Sequence, residues 1–502
     1  MNKERTPIVV GVSQFTQSKM EAAPLHPVGL MKLASLAAIN DTGTQQIKSF
    51  IDTIRVVNIF SYSYADAARI LAGEMGINPQ NYYYSTIGGN SPQLYINKAA
   101  VDITLGRSQA TLITGAEAFY SLRRAKKSEI ELNWPDTALP LFLDGEEKDG
   151  CDSVELAYGM LAPVYSYALI ENRLRYMAGR DIETHRKIMG RTLSELSRVA
   201  AKNPYAWSAD ERSAEEITIP TTANRLVGFP YTMRMYANPN VDQAAAVILT
   251  SDEIAKRLEI PCEKWIYPMG GATFNNIWNI SRRPELHTSP ALRCAGELAL
   301  KQAGLTINEI DAFDFYSCFP CAVEIARNEL GVGFEDKRPV SLTGGLAAFG
   351  GPGNNYSLHA ACTAIQLLRE PTLKMVLITA LGWLNTKWSV GIYGKEKGKM
   401  PWNDRDDSPI QKNIDATALP EAVKIAEGLL TVDSYTIVYD RYGSPHHMTL
   451  LGQLENGRRA FAFMFGSENL KKHEEICPIG KRGRVRHDQK LGFNLFDMLD
   501  GA

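Results

Sequence analysis

Two stretches of the chain repeat one order of elements, and that repetition limits the fold more than any other feature. The first is TIGGNSPQLYINKAAVDITLGRSQATLITGAEAF, residues 86–119. Gly88-Gly89 make a turn, Ser91 is placed to cap a helix and Pro92 to open it. The helix runs to about Leu105 and is apolar on most sides, so it must be buried. Gly106 ends it, Ala110–Thr114 reads as a buried strand, and Gly115-Ala116-Glu117 leaves the strand's carboxyl end. The second stretch is SLTGGLAAFGGPGNNYSLHA, residues 341–360, continuing as a helix to Leu368 and a strand over Met375–Thr379. Strands alternating with helices build parallel α/β sheets. Residue identity between the halves is weak, so the duplication is one of topology.

The remaining segments extend this pattern. PIVVGV (Pro7–Val12) and Ile54–Phe60 read as strands. Leu25–Ile39 and Ala65–Met75 read as helices, the latter ended by Gly76. Residues 120–236 are richer in charge, aromatics and proline, with helical runs over Tyr167–Ala178 and Ile182–Ala201. They read as an inserted loop domain, after which AAAVILTS returns to the first sheet. Pro290–Ala303 is helical, Asp311–Phe315 is a short strand, and Pro320 opens a helix to Leu330. The domains expected are 1–119 plus 237–258, 120–236, 259–395, a polar cleavable linker at 396–418, and a β-rich, barrel-like module at 419–502. The module's strands are expected at 434–440, 448–454 and 459–465, with an Asn456-Gly457 hairpin turn. Lys481–His487 reads as a solvated basic tail, with an anion or nucleic-acid contact as the weaker alternative.

Composition narrows the class. The chain has 502 residues, 45% hydrophobic and 22% charged, with net charge −2. That is an ordinary globular balance with no whole-chain footprint for nucleic acid. No eighteen-residue apolar run exists, and MNKERTPIVVGV is not a signal peptide, so no membrane partner is expected. Seven cysteines are scattered, and the one CxxC, Cys318 and Cys321, lacks a second pair. Reduced thiols in a cytoplasmic protein without zinc are the expectation.

The glycine loop is the first site candidate. Five glycines between 344 and 353 let the backbone take positive φ, and Asn354 or Asn355 can cap the following helix. Such a loop-to-helix junction suits a carbonyl oxygen or a phosphate; a tight packing turn is the alternative. In open α/β sheets ligands sit beyond the strands' carboxyl ends, which makes the region after Ala110–Thr114 the second candidate.

Four stretches together resemble the thiolase superfamily: GGNSPQLYINKAAVDITLGRSQATLITGAEAF, NPNVDQAAAVILTS, DFYSCFP and TGGLAAFGGPGNNYSLHA. The resemblance covers residues from about 5 to 400. It is closest to thiolase-like proteins with an additional C-terminal domain, often labelled acetyl-CoA acetyltransferases, with sterol-carrier-protein thiolases as the nearest well-known relatives. It implies two βαβαβ halves stacked in five layers, a loop domain over the pocket, and Claisen-type chemistry on CoA thioesters in lipid metabolism. It also implies a homodimer, with a monomer as the alternative if the extra domain blocks that surface. A CoA thioester is the expected substrate or ligand, and no other cofactor is implied.

The departures from the family pattern matter as much. The Cys-x-Ser motif is Gly89-Asn90-Ser91 here, so the family's nucleophile is missing. Gly-His-Pro is Gly350-Gly351-Pro352, Cys-x-Gly is Ala380-Leu381-Gly382, and His-Asp-Cys-Phe is Tyr316-Ser317-Cys318-Phe319. Glycine cannot attack a thioester. One reading moves the chemistry to Cys318 as nucleophile and His359 as base, giving an acyltransferase. The other keeps only acyl-CoA or partner binding. Under both, Gly89, Asn90, Ser91, Tyr316, Gly350, Gly351, Asn354, Asn355 and Gly382 are expected to line the ligand site. The alternative for Cys318 and His359 is packing alone, and packing is the expectation for Cys321 and Cys362.

Overall fold

The structure, a computed structural model, describes residues 5–499. Its strands are β1 (Pro7–Thr16), β2 (Ile51–Val56), β3 (Asn81–Tyr84), β4 (Ala110–Ala118), β5 (Leu226–Gly228), β6 (Tyr231–Thr232), β7 (Asp242–Ser251), β8 (Tyr267–Asn275), β9 (Ala312–Asp314), β10 (Met375–Gly382), β11 (Lys387–Gly394), β12 (Gly428–Tyr439), β13 (Pro445–Leu454), β14 (Arg459–Met464), β15 (Arg482–Asp488) and β16 (Phe493–Met498).

The first sheet has the order β1-β7-β4-β2-β3. β2 runs parallel to β3 and β4, while β7 lies antiparallel between β1 and β4. Every residue of β4 and β7 is buried. A strand covered on both faces has no polar face to show, which explains their near-continuous small and apolar runs. The second sheet has the order β8-β11-β10-β9. The helices that follow the two glycine turns, Ser91–Thr104 and Tyr356–Arg369, lie between the sheets and touch both of them and each other. Pro27–Asp41 and Ala67–Met75 cover the outer face of the first sheet, and Pro290–Ala303 that of the second. Helix, sheet, helix, sheet, helix is the five-layered thiolase architecture. No described helix is long and apolar enough to cross a membrane.

The C-terminal strands pair in the order β13-β14-β16-β15-β12, and β12 also pairs with β13, so the sheet closes into a small barrel. Three expectations about this end need correction. The extra β-rich domain is present as expected, but it is not detached from the core, because β5 and β6 of the loop domain extend its sheet through the Val438–Gly228 pairing. Asn172 on the loop-domain helix Pro163–Met177 donates from Nδ2 to the carbonyls of Phe229 at 3.0 Å and Tyr435 at 2.9 Å. Ser434 Oγ donates to the Leu169 carbonyl at 2.6 Å. Residues 396–418 are not a loose linker. Trp402 is buried with its indole N–H on the Pro268 carbonyl at 2.8 Å, and Ser408–Asp415 forms a helix whose Gln411 bonds Asn275. Polar composition suggested exposed chain; the apolar anchor Trp402 decides otherwise. Lys481–His487 is not a tail either. Arg482–Asp488 is β15, with Gly483 and Val485 facing inward and the three arginines outward.

Because Asn172 makes two buried bonds, one of them across to the barrel at Tyr435, Asn172→Ala should lower unfolding free energy by about 2–4 kcal/mol. Urea unfolding followed by fluorescence and circular dichroism should still show one transition. Two separated transitions in the native chain would contradict this account of one cooperative unit.

Candidate functional site

The segments after β3, β9 and β10 and the glycine loop converge at the carboxyl ends of the strands. With the loop domain they enclose a cavity of about 460 Å³. Its wall is mainly apolar, from Ile87, Phe119, Leu161, Val164, Phe319, Leu346 and Leu381. Gly89, Tyr316, Cys318, Gly351, Gly353 and Asn354 also line it.

The glycine loop needs its glycines, since Gly344, Gly345, Gly350 and Gly353 all have positive φ. Neither asparagine caps the following helix through its side chain. They tie loops together instead. Asn354 Oδ1 accepts the Gly88 N–H at 2.9 Å, and its Nδ2 donates to the Asn58 carbonyl at 2.9 Å. Asn355 Nδ2 donates to the Gly115 carbonyl at 2.7 Å, and Ser357 Oγ to the Gly89 carbonyl at 2.8 Å. The first buried helix begins at Ser91, so Asn90 rather than Ser91 holds the cap position, and its side chain does not cap. Asn90 Nδ2 reaches Ser389 Oγ at 3.4 Å, and Ser91 Oγ donates to the Thr86 carbonyl at 3.2 Å. Gly382 lies against Gly88 and Asn90, and Gly350 against Gln243. Of the residues expected to line the ligand site, Gly89, Tyr316, Gly351 and Asn354 face the cavity, and Asn90, Ser91, Gly350, Asn355 and Gly382 do not.

Cys318 and His359 do not meet. Cys318 is on the cavity wall, 9% exposed, and burial pushes its thiol up to about 12. His359 lies behind the glycine loop, fully buried against Phe349, with Nδ1 bonded to Gln14 Oε1 at 2.9 Å. Gln14 Nε2 donates to Thr363 Oγ1 at 3.1 Å, so its oxygen accepts and His359 carries its proton on Nδ1. Burial holds the imidazole down to about 3. Spacing along the chain put the two residues on converging loops. The phase of the helix Tyr356–Arg369 turns His359 toward β1 and away from the cavity. Ala380 is buried inside β10.

The seat of the missing nucleophile is occupied. A β-carbon on Gly89 would collide with the Tyr316 hydroxyl and the Leu381 carbonyl. Tyr316, which the resemblance sets at the first position of the His-Asp-Cys-Phe motif, holds the space in front of Gly89.

Several wall residues carried no sequence signal. Tyr167, on the loop-domain helix, stacks on Phe319 at 4.4 Å, donates to the Trp383 carbonyl at 2.9 Å and accepts the Asn385 N–H at 2.9 Å. Trp383 and Asn385 both have positive φ, unusual for side-chain-bearing residues. Glu117, at the end of β4, is fully buried and accepts the backbone N–H groups of Phe60 at 2.8 Å and Ser61 at 2.7 Å. Gly353 sits against its carboxyl so closely that a β-carbon would collide. Glu117 thus positions two pieces of the wall, Phe60 and Gly353. The sequence reading puts it past a strand ending at Thr114, whereas β4 runs through it to Ala118 and buries it.

A second cavity of about 420 Å³ shares Tyr236, Ala237 and Pro239 with the first. Arg123, Arg212 and Arg234 stand around it. Arg212 pairs with Asp210 at 3.2 Å, and Arg234 Nη1 donates to the Glu216 carbonyl at 3.0 Å. Among the described residues, Arg123 and Arg234 form no ion pair.

The whole architecture, barrel included, is that of a crystal structure of a monomeric SCP2-thiolase-like protein type 1 from Mycobacterium smegmatis. Identity is 30%, coverage 99% of this chain and 100% of that one, and the TM-score 0.85. This chain belongs to the SCP2-thiolase-like protein type 1 family. Residues 409–490 match the family described as thiolase-like protein type 1 additional C-terminal domain, a span that runs from the Ser408–Asp415 helix through β15 and stops before β16. More distant structures share the fold. The Ltp2-ChsH2(DUF35) aldolase aligns at 20% identity and TM-score 0.61, over 78% of this chain and 97% of that one. Human mitochondrial 3-ketoacyl-CoA thiolase in complex with CoA aligns at 15% and 0.56, over 78% and 98%. No curated protein sequence matches the chain.

Two outcomes follow for this thiolase-like protein. Gly89→Cys alone should fail to restore acetoacetyl-CoA thiolysis and should cost about 1–3 kcal/mol of stability through overpacking against Tyr316; thiolysis assays and urea unfolding read both. Glu117 supplies a pH dependence. Its carboxyl ordinarily titrates near 4.5 and burial pushes it up to about 7. The folded state therefore favours the protonated form. The stability this preference contributes is complete below about 4.5 and is lost as pH rises through about 7. Unfolding free energy measured across that window should fall with pH in the native chain and flatten in Glu117→Gln.

Proposed function

We propose that this protein binds CoA thioesters across two adjoining cavities and holds them without forming a covalent intermediate. The observation that carries the reading is their adjacency. An apolar chamber sized for an acyl group shares Tyr236, Ala237 and Pro239 with a cavity flanked by arginines. A CoA thioester has that same polarity along its length, with an apolar acyl end and a phosphate-bearing end. Arginine is the side chain best suited to phosphate oxygens, through its planar fork of donors.

Covalent acyl transfer is poorly supplied. A thiol attacks as its thiolate, and burial keeps Cys318 protonated at neutral pH. Its immediate neighbour is the Tyr167 hydroxyl, which donates to the Trp383 carbonyl and accepts the Asn385 N–H. The acyltransferase reading retains one supporting observation, the place of Cys318 on the wall. Mass spectrometry after incubation with acetyl-CoA separates the two, since only a transferase forms an acylated cysteine.

Calorimetry with CoA and with short and long acyl-CoAs tests binding. Arg123→Ala and Arg234→Ala should each weaken acyl-CoA affinity by about tenfold, from loss of a charge-assisted contact. Absence of binding by every CoA species at millimolar concentration would overturn the proposal.

A further inference from the structure

The chamber wall offers few polar groups, and most are already engaged. Asn354 is spent on Gly88 and Asn58, and the Tyr167 hydroxyl on Trp383 and Asn385. Tyr316 differs. Its backbone N–H donates to Thr379 Oγ1 at 2.9 Å, and its ring meets Tyr356 edge-on at 5.5 Å, which fixes where the side chain points. The residue is 5% exposed and lines the chamber. Among the described residues its hydroxyl has no hydrogen-bond partner, although it stands immediately in front of Gly89. Burial and the nearby Cys318 hold the phenol well above its ordinary range, so it is a neutral O–H donor at neutral pH.

A donor on the chamber wall with no protein partner is free to meet an acceptor that enters the chamber. The proposal rests on the CoA-thioester reading above. We propose that Tyr316 is the specificity-determining residue of the chamber, donating from Oη to the thioester carbonyl oxygen and holding the intact acyl group before Gly89. Glycine at 89 is part of the same device. It leaves room for the hydroxyl and presents no side chain that could attack the carbonyl so held. A ligand without the carbonyl forfeits this bond and keeps the apolar and phosphate contacts.

The test compares two ligands and two proteins. Hexanoyl-CoA carries the carbonyl; hexyl-CoA, its thioether analogue, does not. Tyr316→Phe keeps the ring and removes only the hydroxyl, and its thermal unfolding should match the native chain closely enough to show an intact fold. Calorimetry should show hexanoyl-CoA affinity reduced about threefold to tenfold in Tyr316→Phe, with hexyl-CoA affinity unchanged. Infrared difference spectra with hexanoyl-CoA labelled at the thioester carbonyl give a readout that a structural role would not move. The carbonyl stretch should shift to lower frequency on binding the native chain, and the shift should vanish in Tyr316→Phe. Equal effects on both ligands, or none on either, would overturn the assignment of Tyr316 while leaving CoA binding intact. Failure of both ligands to bind the native chain would overturn the CoA reading itself, and this inference with it.

Discussion

The structure depends on two helices enclosed between two sheets. Ser91–Thr104 and Tyr356–Arg369 are wrapped in protein, so the groups at their amino ends cannot turn to water. A buried amide or carbonyl left without a partner is costly. The chain meets this by making each glycine loop the other's solvent. Asn354 accepts the Gly88 N–H, and Ser357 donates to the Gly89 carbonyl. The two halves are thereby stitched at the point where ligands reach the carboxyl ends of the strands. Glycines in both loops let the backbones come close enough for those bonds to form.

That stitching explains how the site holds a thiolase shape with glycine at 89 and at 351. The loops are held for reasons of burial, which do not depend on a cysteine at 89 or a histidine at 351. Tyr316 fills the space before Gly89, and His359 turns to Gln14. The result is a mainly apolar chamber beside an arginine-flanked cavity.

The barrel is tied into the same frame. β5 and β6 leave the loop domain to extend its sheet, and Asn172 and Ser434 bond across the junction. Arg459 of the barrel pairs with Asp433 at 2.9 Å and reaches the carbonyls of Ser281 and Arg283 in the second half. The loop domain that roofs the chamber is therefore braced on its far side by the barrel.

The five-layered class was legible in the chain, because two buried helices behind glycine turns, each followed by a buried strand, have few other ways to be covered. The loss of the nucleophile was legible too, since glycine has no side chain whatever its surroundings. Local order set these outcomes: apolar period, turn residues and side-chain chemistry act within one element. Where side chains point across elements was a tertiary matter. The residues around His359 carry no mark of its phase against β1, and only packing turns it to Gln14. The Tyr316–Gly89 contact joins residues from opposite halves, and the anchoring of Trp402 on Pro268 spans 134 positions. Contacts of that separation exist only once the layers have closed, so they could not be read from either segment alone.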